Sequence, residues 1–131
     1  MAKILLVEDY LSLQQIYRET LELEGYSVST AVNAEEALEL AKNTTFDIIL
    51  LDLLLQQSLG LTFLEAFDVK KHPKTQIIII SNMFTNAALN KALELGAKHY
   101  LMKSEITPKE LAAAVRETLA EMSKKNRQDE V

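Results

Sequence analysis

The sequence predicts an α/β protein in which five parallel strands alternate with five helices in a doubly wound sheet. The first observation is a mainly apolar run at residues 46–55, broken only by Asp47 and Asp52, whose lack of period is typical of a strand buried on both faces. The second is that shorter runs recur along the chain with helical patterns between them. The third is that polar side chains follow these runs, where the strands end.

The elements follow one another as strand and helix along the whole chain. Gly25 and Gly96 favour helix ends. Asn33 with Glu36 resembles a capping box, and the segment 107–110 combines a capping box with proline at the first helical position. Strands are predicted at residues 3–7, 26–32, 47–52, 76–81 and 99–102, and helices at 11–24, 34–42, 62–71, 86–95 and 108–122.

The composition predicts one cytoplasmic domain. The chain has 131 residues, no cysteine and a formal net charge of −5, which argues against disulfides and against a nucleic-acid surface. The N-terminal apolar run stops at Glu8-Asp9, too short for a signal peptide, and acids interrupt the longest apolar stretch, so no membrane span is expected. The predicted domain is 1–123, and the polar segment 124–131 is predicted to be a disordered tail.

Five polar residues lie at predicted carboxyl ends of strands. Such ends are where ligands bind in open α/β sheets. Three carboxylates held together need a cation, and oxygen ligands with room for water suit Mg²⁺. A lysine and a hydroxyl facing such a site suit a phosphoryl group. The residues are Glu8 and Asp9 after strand one, Asp52 after strand three, Ser81 at strand four and Lys103 after strand five.

Each of these residues also has an ordinary structural interpretation. Asp9 could cap the first helix, Glu8 could be solvated, and Asp52 could be a simple loop carboxylate. Lys103 could extend its ammonium to solvent, and Ser81 could bond its own loop backbone. Their joint placement at one edge of the sheet favours the functional interpretation.

With these residues in place, the chain resembles a response-regulator receiver domain of two-component signalling, of the single-domain CheY-like kind. The resemblance covers residues 2–122 and implies the flavodoxin-like strand order 2-1-3-4-5. The matching residues are Glu8-Asp9, Asp52 with Gly60 at the family's spacing, Ser81, Tyr100 with Lys103, Gly25-Tyr26, and Glu94-Leu95-Gly96-Ala97.

The resemblance implies a chemical role for each site residue. Asp52 accepts a phosphoryl group from a sensor histidine kinase, a phosphotransfer protein or a small phosphodonor. Ser81 and Lys103 bind the phosphoryl oxygens. Mg²⁺ is implied as the cofactor, held by Glu8, Asp9, Asp52 and the backbone carbonyl of Leu54.

The resemblance also implies an output. Movement of Ser81 lets Tyr100 turn inward, which remodels the surface of helix four, strand five and helix five for a downstream protein target. The domain is then a monomer or a phosphorylation-dependent homodimer. It catalyses only its own phosphorylation and dephosphorylation, and is not otherwise an enzyme.

Several residues depart from the family pattern. Ser104 follows Lys103 where proline is usual, so a cis bond there would cost about 2.5–4 kcal/mol. Gln56 replaces a common proline, and Asn82 replaces a small residue and narrows the entrance to Asp52. Leu54 and Phe84 occupy positions that tune the lifetime of the phosphoryl group.

Alternatives to a phosphorylatable switch remain at this point. A degenerate receiver would act as a phosphorylation-independent interaction module, but the retained Asp52, Lys103 and acid pair speak against it. A Mg²⁺-dependent phosphatase lacks a second general acid after a nucleophile on strand one. The chain is also compatible with the receiver of a longer protein.

Overall fold

The computed structural model describes residues 1–55, 60–82 and 85–129, with side chains up to residue 125. All five strands are parallel and form one sheet in the order β2-β1-β3-β4-β5, which confirms the predicted fold class and strand order. The strands are β1 (Lys3–Val7), β2 (Ser27–Ala31), β3 (Ile48–Leu51), β4 (Gln76–Ser81) and β5 (His99–Met102). The helices are α1 (Leu11–Leu23), α2 (Ala34–Asn43), α3 (Gly60–Phe67), α4 (Asn86–Glu94) and α5 (Pro108–Asp129), with short 3₁₀ helices at Val69–Lys71 and Lys103–Glu105.

The sheet separates two hydrophobic cores, because successive side chains of a strand point to opposite faces. In β3, Ile49 and Leu51 pack with residues of α2 and α3, whereas Ile48 and Leu50 pack with residues of α1 and α5. All four side chains are fully buried. The apolar runs without a period are therefore central strands covered by helices on both faces.

Helix capping agrees with the sequence patterns. Asn33 Oδ1 accepts a hydrogen bond from the backbone N–H of Glu36 at 2.8 Å, which begins α2. At α5 the box is reciprocal, because Thr107 Oγ1 accepts from the Glu110 N–H at 3.1 Å and Glu110 Oε1 accepts from the Thr107 N–H at 3.0 Å. These contacts satisfy backbone donors that a helix leaves unpaired at its start.

The predicted bounds of the third helix were wrong. The helix begins at Gly60 and ends at Phe67, rather than running from residue 62 to residue 71. Asp68 follows in the left-handed region with φ of 56°, and the chain then makes the 3₁₀ turn Val69–Lys71. Aspartate is one of the few residues that tolerate this conformation, so it allows the helix to stop before the proline.

The predicted disordered tail was wrong for residues 124–129, because α5 continues to Asp129. Those residues include no glycine and no proline, and lysine, arginine and glutamine are good helix formers. A high density of charge alone does not end a helix. Residues 130–131 lie outside the described residues. Among the described helices, none combines the length and apolar character needed to cross a bilayer.

Candidate functional site

The register of the sheet brings the predicted acids together. β1 and β3 are paired as far as Val7 and Leu51, so the next residues, Glu8 and Asp52, leave neighbouring strands at the same level. Two backbone hydrogen bonds continue past this point, because Asp52 N–H donates to the Val7 carbonyl at 3.2 Å and Glu8 N–H donates to the Ala31 carbonyl at 3.0 Å. The two acids are therefore held by backbone that extends the sheet.

β4 and β5 deliver the other two predicted groups to the same edge. Ser81 is the last residue of β4 and pairs with Met102, the last residue of β5. Lys103 follows directly and begins a 3₁₀ turn. The Lys103–Ser104 peptide bond is trans, as are all peptide bonds of the described residues.

The acid cluster is largely withdrawn from solvent. Glu8 is fully buried and Asp52 is 4% exposed, while Asp9 is partly buried. One carboxylate oxygen from each of the three lies within 4.8 Å of the others. The structure thus excludes a solvated Glu8 and brings the three predicted ligands together.

Lys103 lies between two of these acids. Its Nζ is 2.6 Å from Asp52 Oδ2 and also contacts Glu8 Oε1, and its side chain is only 9% exposed. The ammonium therefore does not extend to solvent. The other oxygen of Asp52 accepts a hydrogen bond from the Leu54 N–H at 2.9 Å, so both oxygens of this carboxylate are oriented.

The electrostatics of the site follow from burial and from these contacts. Burial raises the pKa of Glu8, and hydrogen bonds from Lys103 and from the Tyr10 N–H lower it only in part. Burial lowers the pKa of Lys103, but hydrogen bonds to Asp52 and Glu8 outweigh this effect, and the net pKa is raised. Lys103 therefore remains an ammonium.

The donor set fits a hard divalent cation. The formal charges of the three carboxylates and the one ammonium add up to −2, which a divalent ion would neutralise. The available donor atoms are all carboxylate oxygens, and Asp9 is partly exposed, so water can reach the cluster. These are the properties of Mg²⁺ sites.

Gly60 provides the close backbone contact that this loop requires. Its N–H donates to the Leu53 carbonyl at 3.0 Å. A Cβ at this position would lie 2.3 Å from the Asp52 carbonyl oxygen and 2.8 Å from Leu53 Cα. Only glycine allows α3 to begin this near to the backbone of Asp52.

We expect Gly60→Ala to destabilise the protein by about 1–3 kcal/mol, because backbone atoms must move to admit the methyl group. Gly25→Ala is a comparison for backbone strain alone, because Gly25 has a φ of +95° and nothing within 4 Å of an added Cβ, so it should also lose stability but without moving the backbone of Asp52. Urea unfolding of both variants measures the effect, and wild-type stability of Gly60→Ala would contradict it.

The remaining predicted residues lie around this cluster or outside the described chain. Leu54 and Tyr100 are each 51% exposed, and Asn82 is exposed next to Ser81. Phe84, predicted to tune the lifetime, and Gln56, a departure from the family pattern, lie outside the described residues.

Two groups that hold Glu8 were not predicted from the sequence. The backbone N–H of Tyr10 donates to Glu8 Oε2 at 3.1 Å, and the side-chain amide of Gln14 donates to the Glu8 carbonyl at 2.9 Å. The Tyr10 contact uses a backbone N–H, which every residue except proline carries, so the residue type does not predict it. Nothing in the sequence separates Gln14 from its neighbour Gln15, which is exposed.

Comparison with known proteins identifies the family. The chain matches the family model of the response regulator receiver domain over residues 4–116. It therefore belongs to the receiver domains of two-component response regulators. These domains are signalling switches.

Curated relatives match nearly the whole chain. It is 34% identical over 119 residues to the transcriptional regulatory protein CpxR of Escherichia coli K12, covering 91% of this chain and 50% of that protein. It is 32% identical over 123 residues to a probable transcriptional regulator, ycf27, of Cyanidium caldarium, covering 94% of this chain and 48% of that protein. The chain spans about half the length of these relatives.

Solved structures of similar length share the fold. A CheY-like receiver domain protein from Methanospirillum hungatei superposes with a TM-score of 0.88 at 30% identity, covering 95% of this chain and 98% of that one. The chemotaxis protein CheY4 of Vibrio cholerae gives 0.81 at 28% identity, covering 90% and 98%.

Proposed function

We propose that this domain is a phosphorylatable switch in which Asp52 accepts a phosphoryl group from a histidine kinase, a phosphotransfer protein or a small phosphodonor. The observation that carries the proposal is the buried Asp52 carboxylate, held by Lys103 Nζ at 2.6 Å within a cluster of three acids. A structural ion pair would need neither the third carboxylate nor the residual negative charge. Both suit phosphoryl transfer, where positioning and charge compensation dominate catalysis.

The side chains divide the chemistry between them. A carboxylate oxygen of Asp52 forms a bond to phosphorus while the bond from phosphorus to the donor breaks, and that electron pair leaves with the donor. Lys103 and the Ser81 hydroxyl bind phosphoryl oxygens at the edge where both strands end. Glu8, Asp9, Asp52 and the Leu54 carbonyl would hold Mg²⁺, which when bound compensates the negative charge that gathers on the phosphoryl oxygens.

The direct test is the intact mass of the protein after incubation with acetyl phosphate and Mg²⁺. We expect the gain of one phosphoryl group, and no gain when a chelator removes the metal. A protein that stays unmodified under both conditions would instead support the alternative function, a receiver that binds its partner without phosphorylation.

Output is proposed to pass through Ser81 and Tyr100. Ser81 is buried at the end of β4, and Tyr100 lies half exposed on the neighbouring edge strand, where it pairs with Ile79. Movement of Ser81 towards the phosphoryl group would let the Tyr100 ring turn inward. The altered surface of α4, β5 and α5 would then change binding of a downstream protein, or pairing with a second copy.

Phosphorylation should change hydrogen exchange mainly at residues 81–95 and around Tyr100. The physical reason is that a local charge change at Asp52 biases an element with two arrangements. Exchange measured by mass spectrometry with and without phosphodonor tests this, and Tyr100→Ala should remove the change at β5. Changes confined to the surroundings of Asp52 would mean that Tyr100 is not coupled.

The phosphorylated state is expected to be long-lived. Leu54 and Phe84 are apolar and cannot orient an attacking water. The polar side chain of Asn82 offers a hydrogen-bonding group for such a water, which favours hydrolysis. Leu54→Asn and Phe84→Glu should each speed hydrolysis about tenfold, because positioning a water changes the rate strongly. Leu23→Asn, at a side chain 90% exposed at the end of α1, is the control. Unchanged decay in both site variants would show that water exclusion does not set the lifetime.

A further inference from the structure

Gln14 connects the first helix to the ends of two strands. It lies in the first turns of α1, and its Nε2 donates to the Glu8 carbonyl at 2.9 Å and to the Ala31 carbonyl at 3.2 Å. An amide nitrogen carries two hydrogens, so each carbonyl can receive one. The two acceptors belong to different strands, because Ala31 ends β2 and Glu8 follows β1.

These carbonyls lie where the sheet stops. The register between β1 and β2 ends at Val7 and Ala31, so the Glu8 carbonyl is beyond the last residue pair. A partly buried carbonyl without a partner is costly, and a side-chain donor is the usual solution where a ladder ends. Gln14 provides this donor in the loop that carries the first two acids.

The backbone N–H, the backbone carbonyl and the carboxylate of Glu8 are therefore all held by contacts. Its N–H donates to Ala31, its carbonyl accepts from Gln14, and its carboxylate accepts from the Tyr10 N–H and contacts Lys103. Removal of the Gln14 amide would leave the backbone carbonyl of Glu8 without this hydrogen bond. The Glu8 carboxylate could then move relative to Asp52, although none of its own contacts had been changed.

We infer that Gln14 is a positioning residue for the metal site, acting through the backbone of Glu8. The inference rests on the proposed function, because it assumes that Glu8 contributes to binding Mg²⁺. Mg²⁺ demands near-ideal octahedral geometry, so small displacements of a ligand lower its affinity. Groups that hold a metal ligand in place without touching the metal themselves typically contribute about 10–100-fold to metal affinity.

The chain offers a closely matched pair of variants. Gln14→Met keeps an unbranched side chain of similar length and removes the donor. Gln15→Met makes the same change one residue later, where the amide is exposed and donates to Glu19 Oε1 at 3.1 Å on the same helix. Differences between the two variants therefore report the contacts of Gln14 and not the loss of an amide from α1.

The experiment is a Mg²⁺ titration of each protein followed by NMR, without phosphodonor, together with urea unfolding. We expect Gln14→Met to weaken Mg²⁺ binding about tenfold and to speed exchange of the Tyr10 amide, while Gln15→Met behaves as wild type. If Gln14→Met does not fold, Gln14→Asn, whose shorter amide cannot reach both carbonyls, replaces it with the same expectation.

The outcomes separate the alternatives. A lower unfolding midpoint with unchanged Mg²⁺ affinity of the folded protein would overturn the inference, because Gln14 would then act only on stability. Equal losses of affinity in both variants would overturn it as well. Failure of the proposed function has a different signature, since wild type would then bind no Mg²⁺ or take up no phosphoryl group, whatever occupies position 14.

Discussion

The Asp52→Asn protein is expected to take up no phosphoryl group from acetyl phosphate, with a loss of at least about 1,000-fold, the order seen when a nucleophile is removed. Asparagine keeps the shape of the side chain, and its single amide oxygen can replace one of the two carboxylate oxygens that accept from the Leu54 N–H and from Lys103. Its amide oxygen, however, is not a carboxylate nucleophile. The fold should persist, which the urea midpoint checks.

Asp47→Asn is the matched control for this variant. Asp47 lies just before β3, at the opposite edge of the sheet, and its Oδ2 accepts from the Lys3 N–H at 2.8 Å. The control makes the same chemical change at the other end of the same strand and should be phosphorylated normally. Equal modification of Asp52→Asn and wild type would remove Asp52 from the proposed chemistry.

Asp9→Ala should lower the rate of phosphorylation by at least about 100-fold, comparable with losing one electrostatic stabiliser of a transition state. Asp9 is the most accessible of the three clustered acids, so in the proposed metal site it would be the carboxylate most open to an entering ion. The fold should remain intact, because removing one of three neighbouring carboxylates relieves repulsion. The rate is measured from intact mass at fixed Mg²⁺ concentration.

Asp47→Ala controls for loss of an aspartate without loss of the site. It removes a hydrogen bond to β1 and should cost about 1 kcal/mol of stability, yet leave phosphorylation unchanged. If Asp9→Ala were phosphorylated at the wild-type rate, Asp9 would have no part in the metal site, and an ordinary structural role would be the better explanation.

The class of fold was accessible from the sequence because each central strand is a short apolar run. The strands at residues 3–7, 76–81 and 99–102 were predicted with the bounds observed. The apolar patterns do not determine the order of the strands in the sheet, and that order was predicted from the family resemblance. The early end of α3 at Phe67 and the long α5 depended on a single left-handed residue and on helix propensity in a charged segment, which apolar periodicity does not report.

The sequence predicted which acids and which lysine come together at this edge of the sheet, but not which side chains contact one another. The acids after β1 and β3 and the lysine after β5 lie along the same edge of the sheet, since parallel strands end at one edge. The contact of Lys103 with both Glu8 and Asp52, and the support of Glu8 by Gln14, depend on side-chain reach and on backbone groups. Residue types along the chain carry no such information.

The central claim, that Asp52 is the phosphoacceptor, is tested most directly by trapping the acyl phosphate chemically. Wild-type protein is incubated with acetyl phosphate and Mg²⁺ and then reduced with borohydride, which converts an aspartyl phosphate to homoserine. Peptide mass spectrometry then locates the product. We predict homoserine at position 52 alone, with none when the phosphodonor is omitted. An unreduced Asp52, together with homoserine or a stable phosphoryl group at another residue, would contradict the account.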